Sequence, residues 1–116
     1  MFSIDNNIIK LTRGDSATFT ITVLTSEGEP YEMQDGDKIE FTLKNSVVEE
    51  QVLVQKQGQE IKLAHEDTKN LPFGNYVYDI QITFQNGDRD TIIAPQEDLD
   101  GLIIPNFILT REVNWE

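Results

Sequence analysis

Nucleophilic catalysis needs a base within reach of a serine, threonine or cysteine. This chain has one histidine, His65, and no cysteine. His65 lies in Leu63-Ala64-His65-Glu66-Asp67, the composition of a solvated turn, with no constellation of partners around it. Paired carboxylates abound, since Asp and Glu number 21 in 116 residues. They fall at turns and outer faces, whereas glycoside hydrolysis needs two carboxyls held across a cleft. No enzymatic activity is expected.

Loop carboxylates raise calcium as a ligand, because this hard cation takes oxygen donors. The candidates are Asp35-Gly36-Asp37, Glu66-Asp67, Asn86-Gly87-Asp88-Arg89-Asp90 and Glu97-Asp98-Leu99-Asp100. None has the spacing of an EF-hand loop, Arg89 repels a divalent ion within the richest cluster, and Asp-Gly pairs are ordinary turn chemistry. Neither a metal nor a cofactor is expected. Arg13-Gly14-Asp15 spells an integrin-recognition tripeptide, but Gly14-Asp15 also suits a tight turn between strands. Sugar binding on a sheet uses exposed aromatic rings. By alternation Phe19, Phe41, Tyr76, Tyr78, Phe84 and Phe107 face inward. That leaves Phe2, Tyr31, Phe73 and Trp115 as exposed rings, the candidates for an interface with a neighbouring subunit or a host surface glycan.

The elements that position these residues are strands. Apolar residues alternate in Ala17, Phe19, Ile21, Val23 and in Ile39, Phe41, Leu43. An opening strand covers residues 8–12. A hairpin over 51–64 straddles Gly58, a long strand runs from Tyr76 to Phe84, Asn86-Gly87 turns it back through 91–93, and a closing strand covers 107–113. Residues 64–70 read as a single helical turn crossing between sheets. About eight short strands without a long helix make an all-β, antiparallel two-sheet immunoglobulin-like β-sandwich, with an eight-stranded jelly roll as the alternative.

The strongest local signal is Leu71-Pro72-Phe73-Gly74-Asn75-Tyr76-Val77-Tyr78. It matches a tyrosine corner, in which a Tyr near the start of a strand hydrogen-bonds upstream backbone. Leu71, Gly74, Tyr76 and Tyr78 are its structural residues. Gly74 permits a backbone conformation closed to other residues, Pro72 stiffens the approach, and Tyr78 takes the position of the second cysteine in antibody-type domains.

Composition bounds the rest. The length suits one domain, residues 1–116. A net charge of -12 with nine Lys and Arg excludes a free-standing nucleic-acid binder. No apolar run of about eighteen residues and no signal core is present, so a soluble chain of cytoplasmic synthesis with no membrane partner is expected. Without cysteine the core must stand by packing alone.

Three segments together, residues 11–19 (LTRGDSATF), 37–44 (DKIEFTLK) and 61–80 (IKLAHEDTKNLPFGNYVYDI), resemble the N-terminal domain of the baseplate upper protein of lactococcal siphophages and its short relatives in phages and prophages of Gram-positive bacteria. The resemblance runs in order from about Ile8 to Val113. It implies a bacteriophage virion protein without catalysis that docks on other phage structural proteins and assembles as a homo-oligomer in the virion. In the longer relatives further segments follow this domain, whereas this chain stops at Glu116. The expected role is therefore an adaptor, docking or decoration module of tail, baseplate, neck or head surface. A carbohydrate-binding module contacting the host cell wall is the alternative. The irregular acidic segment 95–101 and the chain ends are the expected contact regions.

Overall fold

Period-two alternation builds the framework. The computed structural model describes residues 2–111, which form nine strands and one helical turn. In chain order these are β1 (Phe2–Asp5), β2 (Ile8–Thr12), β3 (Ala17–Thr20), β4 (Lys38–Lys44), β5 (Val54–Gln57), β6 (Glu60–Leu63), α1 (His65–Thr68), β7 (Gly74–Thr83), β8 (Arg89–Ile93) and β9 (Phe107–Thr110). Ile39, Phe41 and Leu43 of β4 and Tyr76, Tyr78, Ile80 and Ile82 of β7 are buried, and their outward neighbours Asp79 and Gln81 remain half-exposed. Val77 breaks this rule. It is buried on the outer face, where Val47 and Pro95 line a small recess with it.

The fold is all-β and sandwich-like, with two sheets. One follows the order β1-β2-β9-β7-β4-β5 with β8 also on β7, and the other is the pair β3-β6. β7 is long enough to be shared. β9 pairs with it at Gly74, Asn75 and Tyr76, β8 pairs from Ile80 to Thr83 on the same edge, and β4 lines the opposite edge. One buried cluster fills the space between the sheets, with Ala17, Ile61 and Leu63 from the small sheet and Ile9, Phe41, Ile80 and Phe107 from the large one. Phe19 of β3 meets Phe41 of β4 edge-on at 6.0 Å, which joins the layers.

The expected helical turn is α1, and it carries the chain from β6 in the small sheet to β7 in the large one. Three features depart from the sequence reading. β1 is an additional strand, paired with β2 through Asn6-Asn7, both at positive φ (52° and 63°). That is the two-residue hairpin geometry with a right-handed twist, and asparagine tolerates it. The sheets are also not wholly antiparallel, since β2 and β9 pair in parallel. Parallel neighbours need a long connection, and nearly the whole chain lies between these two. Alternation carries no information about direction, so it could not reveal this. The strand expected over 17–23 ends at Thr20, and that expected over 107–113 is β9; Val113 lies outside the described residues.

Candidate functional site

The corner where α1 enters β7 is built on the Arg13-Gly14-Asp15 turn. Gly14 has φ of +83°, and a Cβ there would meet the His65 ring at 3.4 Å. Its N–H donates to Thr68 Oγ1 at 2.9 Å, and Thr68 is fully buried. His65 Nδ1 lies 2.5 Å from the Gly14 carbonyl, a contact that requires the proton on Nδ1. The Arg13 guanidinium donates to the Leu71 carbonyl at 3.3 Å, and Arg13 is only 9% exposed. An arginine turned inward in this way cannot be displayed for adhesion, so the tripeptide is a structural seat for the crossover. Asp67 completes it by accepting from Ala64 N–H at 2.7 Å at the start of α1 and pairing with Lys56 at 2.9 Å.

The four residues expected to form a tyrosine corner take up distinct tasks. Leu71 receives Arg13, Gly74 opens β7 at a φ of 151°, and the Tyr76 hydroxyl donates to the Pro72 carbonyl four residues upstream. Burial raises the Tyr76 pKa above its ordinary value, opposed by the nearby Arg13 charge. Tyr78 stacks on Phe41 at 5.3 Å and donates from its hydroxyl to the Asn7 carbonyl at 2.6 Å. Burial pushes its pKa up to about 12. Its hydroxyl thus ties β7 to the β1-β2 turn. Ring contacts between the layers run through Phe19, which meets Phe41 at 6.0 Å and Phe2 at 5.9 Å.

The candidate interface rings are not brought together. Phe2 is half-buried and stacks on Phe19 at 5.9 Å. Tyr31 meets Phe84 edge-on at 5.8 Å, and the two line an open cleft of about 680 Å³ between the 22–31 segment and β8. Phe73 is exposed, with the Arg13 and Arg111 guanidiniums 5.3 and 5.7 Å from its ring centre. Trp115 lies outside the described residues.

The loop carboxylates that could offer oxygen donors to calcium mostly serve their own turns. Asp37 accepts from the Tyr31 hydroxyl at 2.6 Å, Gln34 N–H at 2.9 Å and Gln85 N–H at 3.1 Å. The Tyr31 hydroxyl, then the Gln34 and Gln85 amides, hold the Asp37 pKa below the usual carboxylate value. Asp88 accepts from the Asn86 amide, and Asp98 Oδ1 accepts from the N–H groups of Asp100 and Leu102. Among the described residues no group of three or more His, Asp or Glu is placed to hold a metal. No helix among them is long and apolar enough to cross a membrane.

Sequence reasoning missed how the 95–101 segment is organised. It is an ordered hairpin, closed by the Glu97–Ile103 bridge and by hydrogen bonds from Ile104 N to Gln96 O (2.7 Å) and from Asp98 N to Leu102 O (2.8 Å). The same turn occurs at 25–29 and 84–88, where Thr25 N donates to Glu29 O and Phe84 N to Asp88 O. In each the fourth residue is a glycine at positive φ (Gly28 81°, Gly87 94°, Gly101 79°) that donates back to the first carbonyl. A glycine at that fixed place after Thr25, Phe84 and Asp98 was the available signal. Comparison with protein-family models, with curated proteins and with solved structures gives no match.

Proposed function

We propose that this chain is a non-enzymatic structural module of a phage virion, an adaptor, docking or decoration unit of tail, baseplate, neck or head surface, present in many copies. In this reading the fold is an immunoglobulin-like sandwich whose tyrosine corner is the Tyr76 hydroxyl on the Pro72 carbonyl. The observation that carries the docking role is the ordered 96–104 hairpin, which holds Leu99 fully exposed and Leu102 65% exposed. Large apolar side chains kept together in water on a hydrogen-bonded hairpin mark an interaction surface. The three segments behind the resemblance also converge in space. The Gly14 turn sits on α1, and Phe19, Phe41 and Tyr78 form consecutive ring contacts. Repetition in a symmetric particle lets each contact be weak while the array holds by avidity. Mass-spectrometric analysis of purified particles is the test: the chain is expected in multiple copies per particle, and its absence overturns the reading.

A second reading, a carbohydrate-binding module for the host cell wall, draws on the open cleft beside Tyr31 and Phe84. Glycan-array binding abolished by Tyr31→Ala would favour it.

A further inference from the structure

The three glycine turns act as internal controls for one another. At the second and third positions they carry Ser26 and Glu27, Gln85 and Asn86, and Leu99 and Asp100, and at the fifth Glu29, Asp88 and Leu102. Two of the three close with polar side chains at all of these places, so the turn itself does not need leucine. Leu99 is nevertheless 106% exposed and Leu102 65%. Solvation of two leucines on an ordered hairpin is unfavourable for the free chain and becomes favourable once they are covered.

Charge decides what covers them. Glu97, Asp98 and Asp100 flank the leucines, residues 94–105 contain neither Lys nor Arg, and the chain as a whole carries -12. A second copy of this chain or an anionic lipid surface would bring like charge against like, which costs affinity. We infer that the 96–104 hairpin is a docking finger that seats Leu99 and Leu102 in an apolar socket rimmed by Lys and Arg on a different protein. The inference rests on the docking role proposed above. Because the hairpin is already closed by its own hydrogen bonds, little ordering cost remains at the moment of binding.

The test is photo-crosslinking in cells producing the intact assembly, with benzoylphenylalanine in place of Leu99 and, as a control of equal turn geometry, in place of Ser26. The expected result is a protein adduct specific to position 99, mapped to a partner peptide beside Lys or Arg residues. Affinity of that purified partner should fall at least about tenfold for the Leu99→Ser, Leu102→Ser double variant, and several-fold for Glu97→Gln with Asp100→Asn. Both variants alter exposed side chains and should keep the wild-type melting temperature. No adduct specific to position 99, an adduct to a second copy of this chain, an adduct to lipid, or unchanged affinity each overturns the inference. If the unaltered chain is missing from purified particles, the virion reading itself fails. If the unaltered and double-variant chains are incorporated equally, only the finger fails.

Discussion

The side chain of Asn106 pairs with the backbone of Tyr78 as a neighbouring strand would. Tyr78 N–H donates to Oδ1 at 2.8 Å, and Nδ2 donates to the Tyr78 carbonyl at 2.9 Å. β9 covers the edge of β7 up to Tyr76 and β8 resumes at Ile80. Between them the chain leaves the sheet to form the 96–104 hairpin, and Asn106 satisfies the backbone so exposed. Its own carbonyl accepts from Ile9 N–H at 2.8 Å, which seats β2 as well.

Asn106→Ala leaves a buried donor and acceptor unpaired at Tyr78. Unfolding free energy from denaturant titration should drop by about 2–4 kcal/mol. A loss below about 0.5 kcal/mol would show that the amide does not stand in for a strand.

The two tyrosine hydroxyls of β7 anchor different elements, Tyr76 the crossover and Tyr78 the β1-β2 turn. Tyr76→Phe and Tyr78→Phe should each cost about 1 kcal/mol. Because the bonds share no partner, the double variant should equal the sum within about 0.5 kcal/mol in the same titration. A large coupling term would mean that the two anchors act as one.

Much of this was legible in residue types. The alternation of Ile39, Phe41 and Leu43 and of Tyr76 through Ile82 named the core faces, and the Ala64–Asn70 composition located α1. Contacts that pair a side chain with distant backbone left no periodic trace, so Asn106 on Tyr78 and Arg13 on Leu71 were invisible. Of the rings expected to be exposed, Phe73 is, whereas Phe2 and Tyr31 are half-buried against the core, as Phe19 and Phe84 are. Parity could not show that Phe2 and Tyr31 find ring partners in Phe19 and Phe84. The leucines of the hairpin were hidden because their acidic neighbours make the segment read as an irregular loop.

Alkaline titration checks the tyrosine environments. All three tyrosines are raised above the ordinary 10.0: Tyr31 chiefly by its hydrogen bond to Asp37, Tyr76 and Tyr78 chiefly by burial. A raised folded-state pKa means that the native chain holds protons which the unfolded chain releases. The associated stability is intact below pH 10.0 and is lost as pH rises through the Tyr78 value of about 12. Absorbance near 295 nm should therefore show no full phenolate step at pH 10, and ionisation should merge with unfolding. A complete step there with unchanged circular dichroism would contradict this.

Two carboxylates should respond in opposite senses at neutral pH. Asp37 has a lowered pKa, so its contribution is present above the unfolded value of 3.8 and is lost as pH falls through the folded value. Asp79 is raised by burial on the outer face of β7, with Lys44 opposing and Glu40 adding to the shift, so its charge weakens the folded state at neutral pH. Asp37→Asn should lower the melting temperature at pH 7, and Asp79→Asn should raise it or leave it unchanged. The reverse order would refute these assignments.

Thr68→Val keeps the buried shape at α1 but removes the acceptor for Gly14 N–H. A loss of about 1–2 kcal/mol is expected by denaturant titration. Native-state hydrogen exchange should show faster exchange at the Gly14 amide. Unchanged protection there would contradict the role given to the Arg13-Gly14-Asp15 turn.

Electron cryomicroscopy of purified particles is the decisive check on the proposed virion role. Symmetric copies of this β-sandwich are expected on the tail, baseplate, neck or head surface, each with its 96–104 hairpin in contact with a different structural protein. Particles of full infectivity in which no density fits this chain would overturn that role.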